Sequence, residues 1–352
     1  MTRNGRLLLV GVTLATGLAG IARYAGGVSA VLAFVLAAIS LAGLAWIVSF
    51  ATEQLGEHYG PAVTGFMQST LGNLPEFFVV LFALDAGQLV VAQTAIVGSI
   101  LANALLVLGL VIVAGAHRTR DGLMRFSPKL PNDTATLLLI SVFIIILVAL
   151  ATGSHDPASH HIKTISIIGA VAILIVYATW LGRYLGGGGV PGEHTAAPPR
   201  LSRAVSFVLL AVAGTASAFV SDWFVHALEP TIHQLHISQA FAGLVIVAIA
   251  GNAVENVTGI VLAHKGQSEL AISVVKNSVA QIAAFLFPAL VLVSLLTATT
   301  LTFAMAPVYA GALFGTALII WQITGDGEAT VFEGTALIAA YVILGTVAWF
   351  EL

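Results

Sequence analysis

The sequence predicts an all-α polytopic membrane protein of eleven transmembrane helices: a first helix, then two five-helix repeats of inverted topology. Three observations lead there. Hydrophobic residues make up 59% of the chain and charged residues 8%, against roughly 25% charged in soluble domains, and mean hydropathy is +1.02. Apolar runs of the roughly 20 residues that a spanning helix requires recur from end to end. Finally, Gly72-Asn73-Leu74-Pro75-Glu76 returns as Gly251-Asn252-Ala253-Val254-Glu255 at an offset of 179 residues, and the two stretches align without a gap for about 38 residues.

The first five spans are expected at about 6–24, 28–56, 61–84, 88–114 and 133–152. Six more follow at about 164–185, 203–228, 237–263, 269–296, 301–323 and 333–350. Continuous apolar runs exclude a membrane barrel, whose strands alternate, and helices satisfy their own backbone in lipid. The first run, Leu7 to Ile21 behind Arg3 and Arg6, has the outline of a cleavable signal. The segments after it are equally apolar, so it is expected to stay as an uncleaved helix. The second span ends at Glu53 and Glu57, the third carries the first motif, and the fourth carries Ser99 and Asn103. Between the fifth and sixth stand His155, His160 and His161, expected in an outer loop without the fixed scaffold a transition metal needs.

Gly186 to Gly189, Pro191, Pro198 and Pro199 then form a linker. The seventh span holds Asp222 and runs out toward Glu229, the eighth carries the second motif, and the ninth carries Lys276, Ser278 and Gln281. The tenth and eleventh flank an acidic loop, Asp326, Glu328 and Glu333. The divisions expected are a helix at 1–27, a first repeat at 28–185, a cytoplasmic Gly/Pro linker at 186–202 and a second repeat at 203–352.

Orientation follows from lysine and arginine. With a cytoplasmic N terminus, Arg3, Arg6, Arg118, Arg120, Arg125, Lys129, Arg183, Arg200, Arg203 and Lys265 share that side. Only Arg23 and Lys163 fall opposite. Five helices per repeat is an odd number, so the second repeat enters inverted and equivalent segments converge near the midplane. Glu76 and Glu255 then face each other. The net charge of −3 and the lack of a basic tail give no footing for nucleic acid, and the bilayer is the expected partner. With no cysteine and no HExxH, neither an enzyme nor a resident cofactor is expected. The sequence assigns no oligomeric state.

A carboxylate near the centre of a bilayer costs roughly 2.5 to 3.5 kcal/mol on insertion scales and must be neutralised. Asn73 and Glu76 lie three apart on one helical face, as do Asn252 and Glu255. Each helix thus offers a carboxylate and an amide oxygen, ligands that hard divalent cations select. Pro75 has no N–H for the carbonyl of Leu71, which is expected to turn toward the cavity. Val254 replaces it in the second copy, where only Gly251 loosens the helix. Ser99 with Asn103, and Ser278 with Gln281, add polar groups from the next helix of each repeat, among small residues that let helices approach. A doubly charged empty site tends to take up protons. One Ca²⁺ or two protons give the same neutrality, which points to exchange of transported Ca²⁺ and H⁺ rather than uniport.

Glu53 and Glu57 at one interface, and Asp222 and Glu229 at the other, are candidates for proton entry or for drawing in cations. Asp326, Glu328 and Glu333 are candidates for attracting or regulating cations. Lys276 sits roughly 200° from Ser278 around its helix and should point away from it, snorkelling to the cytoplasmic surface.

Six stretches in order resemble the cation/proton exchangers of the Ca²⁺/cation antiporter superfamily. They are Ala51-Thr52-Glu53-Gln54-Leu55, the two glutamate motifs, Gly98-Ser99-Ile100-Leu101-Ala102-Asn103, Ser278-Val279-Ala280-Gln281-Ile282, and Asp326-Gly327-Glu328 with Glu333-Gly334. The resemblance runs from about residue 28 to the end. It implies eleven helices with the N terminus inside, and Ca²⁺ and proton binding by Glu76 and Glu255. The family often has histidine after the second motif glutamate and glycine before the second serine, where this chain has Asn256 and Asn277. Its linker is often strongly acidic, whereas here it holds only Glu193. The expectation is a multi-pass protein of the inner or plasma membrane that expels cytoplasmic Ca²⁺ against protons. Na⁺-coupled or Na⁺/H⁺ exchange and a non-transporting scaffold are the alternatives.

Overall fold

The computed structural model describes residues 3–25, 27–59, 67, 71–183 and 200–351. The linker residues Gly186 to Gly189, Pro191, Glu193, Pro198 and Pro199 lie outside them, as does most of the first half of the expected third span. The helices are α1 (Arg3–Tyr24), α2 (Ala30–Glu57), α3 (Leu74–Asp85), α4 (Leu89–Ala116), α5 (Lys129–Gly153) and α6 (Ile162–Arg183). They continue with α7 (Arg203–Leu235), α8 (Gln239–Gly251), α9 (Ala253–His264), α10 (Ser268–Leu296), α11 (Pro307–Thr324) and α12 (Val331–Trp349). Among the described residues nine helices are long and apolar enough to cross a membrane, or ten spans if α8 and α9, bent by 61° at Asn252, count as one. The chain is thus a multi-pass integral membrane protein.

Local chemistry sets several helix starts. Ser29 accepts from Leu32 N at 3.3 Å at the head of α2, and Ser202 accepts from Val205 N at 3.4 Å at the head of α7. Thr330 and Glu333 form a reciprocal capping box on α12, Glu333 N to Thr330 Oγ1 at 3.2 Å and Thr330 N to Glu333 Oε2 at 2.8 Å. Glu333 is therefore a structural cap and not a free acid awaiting a cation.

The sequence repeat reappears as backbone geometry. α3 and α9 are both 12 residues long and begin at the same offset. Each follows an asparagine with nearly the same torsions, φ −96° and ψ 20° at Asn73, φ −103° and ψ 17° at Asn252. Each ends before a left-handed glycine, Gly87 at φ 76° and Gly266 at φ 79°, where only glycine avoids a Cβ clash. Past these turns α4 and α10 each contain a π-helical stretch, Ala102–Val107 and Ile282–Leu286, and a third lies in α8 at Ala242–Val247. Such bulges cluster at functional sites because they redirect side chains and carbonyls.

This geometry corrects the expectation for Pro75. It stands in the first turn of α3, where a missing N–H leaves no gap in the helix. The second copy bends by 61° at Asn252 without a proline, so Val254 does not prevent the break there.

Packing explains why the two copies meet. α2 lies along α7, with the Phe34 and Phe224 rings 4.6 Å apart, and α3 packs on both α7 and α4. The first half of α4 crosses the π stretch of α8 so closely that a Cβ on Gly98 would collide with the Leu244 backbone. One on Gly243 would collide with Thr94. Gly98→Val is accordingly expected to lower the melting temperature of the purified protein, since overpacking costs about 1 to 3 kcal/mol. A melting temperature equal to that of the parent chain would show that the crossing gives way.

At the end of the bundle bearing the Arg-rich loops, β1 (Leu123–Arg125) pairs antiparallel with β2 (Glu328–Thr330), Met124 opposite Ala329. Arg125 bridges Asp121 at 2.7 Å and Glu328 at 3.1 Å. Asp326 Oδ1 accepts from Glu328 N at 3.1 Å. Ser127 N donates to Glu269 Oε2 at 2.7 Å, and Arg118 Nη1 donates to His264 O at 2.8 Å. Of the three loop acids expected to attract cations, Glu328 is bridged to Arg125, Asp326 accepts from the Glu328 backbone and Glu333 caps α12. The Arg125 hydrogen bond holds the Asp121 carboxyl below its ordinary 3.8. A group lowered on folding contributes above its ordinary value and loses that contribution as pH falls through the folded one, so the Asp121–Arg125 bridge beside this strand pair weakens only in acid below about pH 4.

Lys276 departs from expectation. It does not reach the surface: it is 1% exposed and donates to Thr324 Oγ1 at 3.3 Å, which donates on to Ile320 O at 2.6 Å. The last turn of α11 carries the negative end of that helix's dipole, which suits an amino group. Replacing a buried polar group and its contact by an apolar side chain of similar length is often neutral or stabilising. Lys276→Met should therefore keep or raise the melting temperature, while Lys276→Glu should lower it. A large loss with methionine would show that the Thr324 contact holds α10 to α11.

Candidate functional site

The two asparagine breaks bring the polar residues of the repeated motifs to one place. Asn252, 1% exposed, donates from Nδ2 to Ser99 Oγ at 2.9 Å and to Ala248 O at 3.0 Å. Asn103, fully buried in the π stretch of α4, donates from Nδ2 to Asn252 Oδ1 at 3.0 Å and to Ser278 Oγ at 3.1 Å. Four side chains from α4, α10 and the α8–α9 break therefore form one network across the two copies. Nothing in the sequence gave these partners, because offsets of 149 to 175 residues separate them.

Glu76 stands beside this network, 4% exposed at the start of α3. The Ser99 hydroxyl, the Asn252 amide and the Glu255 carboxylate lie near its carboxyl group. Among the described residues neither oxygen meets a partner in the geometry of a formed hydrogen bond. A buried carboxylate without donors is costly, so the arrangement suits a proton or a cation. Glu76 lines a small enclosed space with Leu41, Pro75, Val79, Phe224 and Gly251. Glu255, in the first turn of α9, is half-buried. The two glutamates thus meet different surroundings.

The remaining candidates divide. Asn73 is buried with its Nδ2 unpartnered among the described residues, so the first copy lacks the bonds that Asn252 makes. Leu71 lies in the turn before α3, and Gln281 is half-buried at the start of the π stretch in α10 without joining the network. Unpartnered buried oxygens also include Asn103 Oδ1, Asn256 Oδ1 and Asn277 Oδ1. No cluster of three or more His, Asp or Glu side chains close enough for a metal exists among the described residues, the outer histidines included. A hard cation at this place would take two carboxylates at most and complete its shell from amide, hydroxyl and carbonyl oxygen.

The flanking acids lie apart, at opposite ends. Glu53 is exposed near the end of α2, where Gln54 Nε2 donates to Glu57 Oε2 at 2.9 Å. Asp222 and Glu229 line a cleft of about 540 Å³ with Asp85, Gln88, His226 and His233. The two histidines were not singled out from the sequence, although Asp222, His226, Glu229 and His233 recur at spacings of four, three and four on one face of α7.

The profile of the sodium/calcium exchanger protein family matches residues 29–184 and 205–350. The Ca²⁺/H⁺ antiporter ChaA of Bacillus subtilis is 30% identical over 323 residues, covering 90% of this chain and 91% of the relative. The vacuolar calcium ion transporter of Schizosaccharomyces pombe is 30% identical over 320 residues, covering 88% and 77%. The fold is similar to that of native YfkE, with a TM-score of 0.81 at 24% identity over 97% of this chain and 99% of that one. It is also similar to that of the H⁺/Ca²⁺ exchanger CAX, with a TM-score of 0.79 at 15% identity over 99% and 92%.

Proposed function

The chain belongs to the sodium/calcium exchanger protein family, a family of transporters, and we propose from this that it exchanges cytoplasmic Ca²⁺ for protons by alternating access of a central site built on Glu76 and Glu255. One observation carries the reading: a buried Glu76 with both oxygens unpartnered, beside the amide and hydroxyl network that joins the two motif copies. Hard cations select such oxygens, and two protons neutralise the same charge. ChaA of Bacillus subtilis, a Ca²⁺/H⁺ antiporter by name, and the calcium ion transporter of Schizosaccharomyces pombe support the choice of substrates.

In this reading the first helix precedes two five-helix repeats, as the apolar runs of the sequence suggest. The matched backbone of α3 with α9, and of the turns and π stretches after them, supports the duplication. The Arg- and Lys-rich loops support a cytoplasmic side for the β1–β2 end and the N terminus, in an inner or plasma membrane. Glu76 and Glu255 bind cation and proton in turn. Asn73, Asn252, Ser99, Ser278 and the Leu71 carbonyl supply further oxygen, and Asn103 and Gln281 support them.

Purified protein in liposomes with an imposed pH gradient should take up Ca²⁺ in response to the gradient and release it when the gradient is collapsed. Robust Na⁺ movement without Ca²⁺ movement would overturn the reading in favour of Na⁺ exchange.

A further inference from the structure

The cleft at the end opposite the Arg-rich loops holds titratable groups that the cation site does not use. Asp222, His226, Glu229 and His233 form a ladder on one face of α7, each about 5 to 6 Å from the next at the Cβ, and all four line the cleft. Pro230, inside the helix, cannot donate to the carbonyl of His226, which leaves that oxygen open to water in the cleft. A space of about 540 Å³ readily holds a chain of waters.

The ladder leads toward Glu76. Asp222 follows Ser221, whose hydroxyl donates to the carbonyl of Pro75 at 3.4 Å, and Pro75 precedes Glu76. Phe82 and Val225 bound the cleft, while Val79 and Phe224 bound the enclosed space that Glu76 lines. One apolar layer therefore separates the ladder from a buried carboxyl group whose oxygens have no partner among the described residues.

We propose that this cleft is the outer proton entry of the exchanger, with His226 and Asp222 as the carriers that pass a proton toward Glu76 when the apolar layer parts. This rests on the exchanger reading above and adds to it the side, the route and the carriers. A proton leaves His226 for the Asp222 carboxylate, His226 is reprotonated through Glu229 and His233 from the outer solution, and Asp222 gives its proton to Glu76 as the cation departs outward. Histidine is the side chain whose ordinary charge change falls between about pH 5 and 8.

The groups facing His226 are few. Asp85 comes from the end of α3, and Gln88, before α4, donates from Nε2 to Glu229 Oε2 at 3.4 Å. From α1, Arg23 lies 5.3 Å over the ring of Tyr24, whose hydroxyl accepts from Trp223 Nε1 at 3.3 Å. The outer half of α2 brings no charged side chain.

The test uses the full chain in liposomes of known orientation, with outer pH varied from about 5 to 8. His226→Gln should cut proton-driven Ca²⁺ flux by about tenfold or more at the alkaline end and flatten the dependence on outer pH. Ca²⁺/Ca²⁺ exchange without a gradient should stay at the parent rate. Asp222→Asn should lower the proton-driven flux as well, and Asp222→Glu should restore it. A pH profile of His226→Gln superimposable on the parent would overturn the proposal. So would an equal loss of Ca²⁺/Ca²⁺ exchange, which would make the histidine structural. If the parent protein shows no proton-driven Ca²⁺ flux, the exchanger reading itself fails, an outcome distinct from either.

Discussion

Replacing Glu76 by glutamine should abolish proton-driven Ca²⁺ transport, with a loss on the order of a hundredfold or more. Glutamine keeps the size of the side chain but removes the negative charge that both a divalent cation and a proton neutralise. No hydrogen bond is given up, because neither oxygen of Glu76 has a partner among the described residues. A buried unpaired charge is also lost, so the variant should melt at the same temperature as the parent or higher. Transport in liposomes and a melting curve in detergent test both halves. Wild-type proton-driven flux in Glu76→Gln would remove Glu76 from the mechanism, whereas loss of flux together with a large drop in melting temperature would make its role structural.

The second large effect is an inequality between the two asparagines. Asn252→Leu removes the bonds to Ser99 and Ala248 and takes from Asn103 one of its two acceptors, leaving only Ser278 Oγ. Each buried group so orphaned costs about 1 to 3 kcal/mol, so the total is on the order of several kcal/mol. Asn73→Leu removes no bond made by its Nδ2, and its melting temperature should stay close to the parent's. Both variants should transport poorly, since each loses an amide oxygen beside a glutamate. Equal destabilisation of the two would show that the network does not distinguish the copies as the hydrogen bonds say it does.

Much of this was legible in the chain. Apolar runs of spanning length give helices because the backbone must satisfy itself in lipid, and the motif repeat gave the matching break points before α3 and α9. The spacing of Thr330 and Glu333 also allows a capping box, which the reading of Glu333 as a loop acid overlooks. Other features were legible but passed over: an ionisable residue within a span, Lys276, warrants a search for its partner, and the spacing of His226 and His233 with Asp222 and Glu229 marks one face of α7. Pro75 misled because a proline in an apolar run looks like an interior kink until the helix start is known.

Composition and apolar runs by themselves determined a helical multi-pass membrane protein, and the sequence carries the same acidic motif twice. These depend on local sequence and on the solvent the chain must enter. Tertiary structure alone decided that Asn252 rather than Asn73 ties the network together, that Lys276 ends inside the bundle against Thr324, and that the loop acids pair with Arg125 and the helix ends. Such contacts join residues up to about two hundred positions apart, and only packing at close approaches such as Gly98 on Leu244 fixes which of them meet.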